Sequence, residues 1–253
     1  MPTALLLSPH LDDAAFSCGG TAAMLAAAGW EVALVTPFAA SVADPTGFAL
    51  ECQTSKGLPP EVDYMRLRRT EDAVAAVQLG CTAVAWGTLR EAPHRGYESA
   101  AMLFEPPLVS DDRQPIADAV AKSLTRHQPD LLLAPQCWGQ HVDHVQLTRS
   151  LLAMPRPPTA WWQDLPYLLR DDPRPPPDDI AAAIPAKAVA VRVAAEAMRA
   201  KLDACAAYAS QLGFQFGDEQ AMRRRLGSHA TERFVADAEA IAMLADLRFE
   251  PPA

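Results

Sequence analysis

The sequence predicts an α/β fold, a mostly parallel sheet with helices on both faces, and three observations point to it. Short, near-continuously apolar runs such as Ala4-Leu5-Leu6-Leu7 and Leu131-Leu132-Leu133-Ala134 read as strands covered on both sides. Stretches of helical period separate such runs, so strand, helix and strand alternate as in parallel crossover units. The 253 residues, 50% of them hydrophobic, can bury a substantial core and fit one domain over 1–253.

The elements follow in order. Residues 4–7 form the first strand, which ends at the polar Ser8-Pro9-His10, and residues 31–36 form the second. Between them, Gly19-Gly20-Thr21 lets the chain turn into a helix carrying Met24, Leu25 and Ala28 on one face. From 37 to 64 no period is sustained. Asp44-Pro45-Thr46-Gly47 and Gly57-Leu58-Pro59-Pro60 mark a long, mobile loop of the kind that covers active sites. Leu67, Val74 and Val77 then repeat at helical spacing as far as Leu79-Gly80, where glycine can take the left-handed conformation that ends a helix. A third strand lies around 83–86. A second long loop spans 93–112, and a helix with Ile116, Val120 and Leu124 closes at Pro129. The fourth strand is 130–134. An acidic, proline-rich connector at 171–179 is expected to be extended and exposed. A strand at 188–193, a helix with Met198, Leu202 and Cys205, and a last helix with Ala238, Ile241 and Ala245 complete the chain. In Rossmann-like open sheets of this kind, ligands bind beyond the carboxyl ends of the strands where strand order reverses, and strands one and four flank that crevice.

The formal net charge of -9 offers no basic footprint, so neither nucleic acid nor a membrane surface is an expected partner. No apolar run approaches the roughly 20 residues that cross a bilayer, and Met1-Pro2-Thr3 lacks the basic start of a signal peptide. A cytoplasmic protein is expected. Cys18, Cys52, Cys81, Cys137 and Cys205 are scattered without a C-x-x-C pair, the pattern of reduced thiols. Cys18 and Cys137 lie near the motifs described next, but neither has ligand spacing.

Two segments, each just after a buried strand, carry chemistry: Ser8-Pro9-His10-Leu11-Asp12-Asp13 and His141-Val142-Asp143-His144. Together they supply two imidazoles and a carboxylate for one metal, with a spare carboxylate and a spare imidazole beside it. Metal-assisted hydrolysis needs that combination, because a catalytic zinc takes three protein ligands and keeps a water while uncoordinated neighbours move protons. Of the adjacent Asp12 and Asp13, one can bind metal while the other accepts a proton. On a helical turn His141 and His144 share a face, and Asp143 can orient an imidazole. One Zn²⁺ per chain is the default, with other divalent ions possible.

His10-Leu11-Asp12-Asp13 followed by Gly19-Gly20, together with His141-x-Asp143-His144, resembles the LmbE-like, or PIG-L, family of zinc-dependent N-acetylglucosaminyl deacetylases. The Arg68-x-x-Glu71 helix ending in Leu79-Gly80 and the late Glu232-x-Phe234 extend the resemblance over nearly the whole chain. Leu11 stands where the family usually has proline, and Ala15 where an acidic residue is common. The resemblance implies that His10, Asp13 and His144 bind zinc, that Asp12 is the general base and His141 the assisting acid, and that Arg68 contacts a substrate hydroxyl or phosphate. It implies a hydrolase that removes acetyl from an N-acetylglucosamine-type conjugate, a small-molecule substrate, releasing acetate and a free amine. Family members act on thiol-precursor glycosides, inositol-linked lipids, chitooligosaccharides and glycopeptide antibiotics, and the loops that choose among them are not readable here. A homo-oligomer is possible.

Plainer readings stand beside these. Arg68 could pair with Asp72 one helical turn on, at the surface. His94, His127 and His229 read as solvated or capping residues, although His229 could reach a substrate. Gly19-Gly20 lacks the G-x-G-x-x-G of a nicotinamide site. Trp161-Trp162 and Trp138 could stack on a sugar or pack in the core, and Trp138, just before the second motif, is the better substrate contact. A metallophosphoesterase would need more bridging carboxylates than the motifs show. A sugar-binding protein without catalysis would not need Asp12 and His141.

Overall fold

The computed structural model describes residues 1–245 and 247. Seven strands form one sheet: β1 (Thr3–Leu7), β2 (Glu31–Phe38), β3 (Ala83–Leu89), β4 (Leu131–Pro135), β5 (Thr159–Trp162), β6 (Ala188–Arg192) and β7 (Thr231–Ala236). Their order is β3-β2-β1-β4-β5-β7-β6. The first five strands pair in parallel, and β7 runs antiparallel to both β5 and β6. Strand order therefore reverses between β1 and β4, as expected from the motif placement, and the crevice forms at their carboxyl ends.

Among the described residues ten α-helices surround the sheet: α1 (Asp13–Ala27), α2 (Gly47–Thr54), α3 (Tyr64–Gln78), α4 (Gln114–His127), α5 (Val142–Leu152), α6 (Asp178–Ala183), α7 (Ala195–Ala207), α8 (Ala209–Phe216), α9 (Glu219–Gly227) and α10 (Ala238–Ala245). Alternate strand residues serve opposite faces. Leu6, Leu131, Leu133 and Trp162 pack with α1 and α10, whereas Leu5, Leu7, Leu132 and Trp161 pack with α4 and α5. This is why the strands read as continuous apolar runs, and each fully buried leucine contributes about 1.5–3 kcal/mol. Among the described residues no helix is long and apolar enough to cross a membrane.

Three expectations are revised. Gly19 and Gly20 do not turn the chain into a helix but lie inside α1, which starts at Asp13 and kinks at Cys18. Gly20 is required there because a Cβ would sit 2.5 Å from Val193 Cγ1. The 37–64 stretch contains α2. On α3, the Val74 and Val77 stripe faces out, at 48% and 73% exposure, while Arg68, Glu71 and Asp72 face in. Their charges are consumed by defined partners: Glu71 accepts from Ser210, and Asp72 accepts from Trp86 and Tyr208. Trp161 and Trp162 are fully buried in β5, one on each face of the sheet, so neither is a sugar platform. Gly80 has the expected positive φ of 72°, and 171–177 has no regular structure.

Candidate metal centre

The first motif is a turn between β1 and α1 that the sequence itself holds in shape. Ser8 Oγ donates to His10 O at 2.6 Å and accepts from Ala14 N at 3.0 Å, which satisfies one free N–H of the first helical turn. Leu11 is buried against Ala39 and Met65, so packing fixes the turn at this position. The second motif follows β4 through Cys137, Gly139 and Gln140, all at positive φ (72°, 85° and 61°). At Gly139 the Tyr167 side chain occupies the space of a side chain, its Cβ 2.7 Å from where a Cβ would lie. His141 caps α5 by accepting Asp143 N–H on Nδ1 at 3.2 Å, which leaves its proton on Nε2.

These turns bring distant residues together. Asp13 Oδ2 lies 3.2 Å from His10 Nδ1 and 3.1 Å from His144 Nε2. The other nitrogen of each ring is held by a carboxylate: His10 Nε2 by Asp143 Oδ2 at 2.9 Å, and His144 Nδ1 by Asp164 Oδ1 at 2.7 Å. His10, His141 and His144 offer ligand atoms within 4.8 Å of one another. A divalent ion fits this donor set. His144 Nε2 is buried and has no hydrogen-bond partner, and the spacings approach the roughly 3.3 Å edge of a tetrahedron with bonds of about 2.0–2.1 Å. Carboxylates behind each imidazole are the usual support for metal-binding histidines.

The electrostatics agree. Burial disfavours a charged ring, yet Asp13, Asp143 and Glu91 raise the His10 pKa well above its ordinary value. His144 is raised to about 9 against the same burial penalty by Asp13 and Asp164. Asp13, although buried, is held well below the usual carboxylate range by His144 and His10. Asp12 differs from its neighbour: burial pushes it up to about 7, Arg68 opposing and Asp13 reinforcing. Burial and the neighbouring His10 charge lower the His141 pKa well below its ordinary value.

Arg68 is only 4% exposed and does not pair with Asp72. Its guanidinium lies 2.5 Å from Glu91 Oε1 and 3.4 Å from Asp12 Oδ1, on the wall of the cavity that opens from the site. Trp138 is not on that wall; its indole donates to Gln136 and its backbone N–H to Asp164. His229 is exposed and away from the cavity, and Glu232 is a buried anchor, accepting from Lys201 at 2.6 Å and from Gly20 and Thr21. Sequence reading missed Glu91, Asp164 and Arg95, whose guanidinium lies 2.7 Å from Asp143 Oδ1 and also grips Asp111. Glu91 and Asp164 each stand two residues after a strand, which was the available signal.

A family model described as GlcNAc-PI de-N-acetylase, PIG-L, matches residues 5–154, the span that carries both motifs. The chain belongs to the PIG-L family. Among its relatives, the 2'-N-acetylparomamine deacetylase of Streptomyces fradiae is 32% identical over 169 residues, 64% of this chain and 57% of that protein. The chain thus matches little more than half the length of that curated relative. PIG-L architecture recurs in the solved A40926 pseudoaglycone deacetylase Dbv21, with a TM-score of 0.76 and 27% identity over 92% of this chain and 96% of that one. A zinc-inhibited form of teicoplanin deacetylase Orf2 shares the fold at a TM-score of 0.77 and 24% identity, covering 93% and 99% of the two chains.

Proposed function

We propose that this chain is a metal-dependent N-deacetylase, with zinc as the resident ion, that removes acetyl from an N-acetylated amino-sugar conjugate. The observation that carries the reading is Asp13 Oδ2 set between His10 Nδ1 and His144 Nε2, with Asp12 uncommitted to either ring beside it. His10, Asp13 and His144 would hold the metal. Membership of a de-N-acetylase family and likeness to enzymes named as deacetylases of 2'-N-acetylparomamine and of the A40926 pseudoaglycone support it.

The reaction adds water across the amide: a C–O bond forms, the C–N bond breaks, and water's proton ends on the departing nitrogen. When bound, the metal supplies Lewis acidity that polarises the carbonyl and makes water acidic near about pH 7. Asp12 takes the proton, and burial, which keeps its proton affinity high for a carboxylate, lets it hand the proton to the amine. Arg68, itself anchored by Glu91, holds Asp12 in place. His141 donates from Nε2 to the carbonyl oxygen as charge develops there, a contribution of roughly 3 kcal/mol for one such donor. Asp143 and Asp164 keep the two ligating rings in register. A two-metal phosphoesterase has no support here, since those two carboxylates are spent on imidazoles.

Five free thiols suit a reducing, cytoplasmic setting, which the proposal includes. The test is acetate release from N-acetylated amino-sugar conjugates, with and without chelator, beside metal content. Acetate that appears only with metal bound supports the reading, and metal-loaded protein inert on every conjugate sinks it.

A further inference from the structure

The cavity above the site has a volume of about 330 Å³ and two unlike ends. Its floor carries His10, Asp12, Asp13 and His141, whereas its outer wall includes Phe48 and Cys52 of α2, Tyr64 of α3, Leu103, Phe104 and Phe214 of α8. Ser55, Gln211 and Gln215 also reach the cavity, but the aromatic faces themselves offer sugar hydroxyls few partners. The wall instead suits an apolar or aromatic group attached to the sugar.

Two cations edge that wall. Lys56 Nζ lies 4.9 Å from the Phe214 ring centroid and 5.3 Å from that of Tyr64, and donates to Cys52 O at 2.6 Å. The Arg170 guanidinium lies 5.0 Å from the Phe104 centroid and 4.7 Å from that of Tyr167. Neither cation has an ion-pair partner among the described residues. The carboxylates nearby do not supply one: Glu91 is taken by Arg68, and Glu51 is exposed between this cavity and the neighbouring groove. Burial, with the charge of Arg68 adding to it, lowers the Lys56 pKa, so a bound anion would relieve a cost already present. In a chain of net charge -9, unpaired cations over aromatic rings beside the site are a specific arrangement.

Resting on the deacetylase reading, we propose that the preferred substrate joins its N-acetylated sugar to an aromatic or apolar group bearing an anion. Lys56, with Arg170, selects the anion, and Phe214 packs on the apolar group. A cationic group at that place is disfavoured by the same two side chains.

Phenyl, 4-carboxyphenyl and 4-(aminomethyl)phenyl glucosaminides, with the methyl glycoside as reference, test this by calorimetric binding to metal-loaded protein. Their N-acetyl forms are assayed for acetate release. The carboxylate should bind roughly tenfold more tightly than phenyl, as a charge-assisted contact in a half-buried setting provides, and the ammonium compound more weakly than phenyl. Lys56→Gln should bring the carboxylate-to-phenyl ratio close to one, Lys56→Arg should preserve it, and Phe214→Ala should weaken all three aryl ligands relative to methyl. Equal binding of carboxylate and ammonium by the wild-type chain, or a ratio that Lys56→Gln does not change, overturns the inference. Acetate release without the binding preference sinks this proposal alone, and the preference without acetate release sinks the deacetylase reading alone.

Discussion

Asp12 and Asp13 share a turn but meet different surroundings, and the difference can be measured. Asp13 touches the imidazoles of both His10 and His144, whereas Asp12 touches Arg68. Asp12→Ala should keep one metal per chain and cut kcat by about 10² or more, the usual worth of a general base. Metal lost together with activity would make Asp12 a ligand instead. His141→Ala should lower kcat by a similar factor of about 10² with metal content unchanged, and loss of the metal would place His141 among the ligands. The raised pKa values of His10 and His144 mean that both rings carry protons near neutrality in the metal-free chain. Metal uptake must expel those protons, so affinity should rise with pH up to about 9, and calorimetry in buffers of different ionisation enthalpy should count them. Uptake with no proton release would contradict that charge state. The six motif residues were legible because they sit in two short stretches directly after apolar strands. Asp164 and Glu91 were not, because the contacts that define them, to His144 and Arg68, cross 20 and 23 residues of chain.

α1 delivers Asp13 at its first turn and is held from behind by charge. Glu232 of β7 accepts from Gly20 N, Thr21 N, Thr21 Oγ1 and Lys201 Nζ, and Lys201 is 1% exposed. Lys201→Met removes one partner of a buried pair and should cost about 3–5 kcal/mol in denaturant unfolding. Adding Glu232→Gln should recover much of that loss, and a purely additive double variant would deny the coupling. Gly20→Ala would push a methyl into Val193 and Glu232, at a cost of about 1–3 kcal/mol. On α3 the helix itself was readable from its period, but its inner face was not. Apolar spacing marks the buried side only when polar residues have water as their best partner, and Arg68, Glu71 and Asp72 have better ones inside.

Across the whole sheet, the five parallel strands were foreseen except β5, whose four residues are too short to show a period. β7 escaped for another reason. It is antiparallel and alternates buried with less buried residues, and the notice it drew was for Glu232 and Phe234 alone. A metal held as proposed by His10, Asp13 and His144 would tie together the two motifs that follow β1 and β4, so ligand linkage would add about 2.7 kcal/mol at a hundredfold excess over Kd. Chelation should therefore lower Tm by about 5 °C or more, and an unshifted melt would mean that the ion is not bound by the folded state. The late arrival of β7 has a consequence for biogenesis. β5 leaves the ribosome some 70 residues ahead of the strand that covers its edge, and until that strand emerges Lys201 lacks its counterion and α1 its rear anchor. Nascent or truncated chains that stop short of residue 231 carry an open hydrogen-bonding flank, and they are the species that chaperones and proteases should meet first.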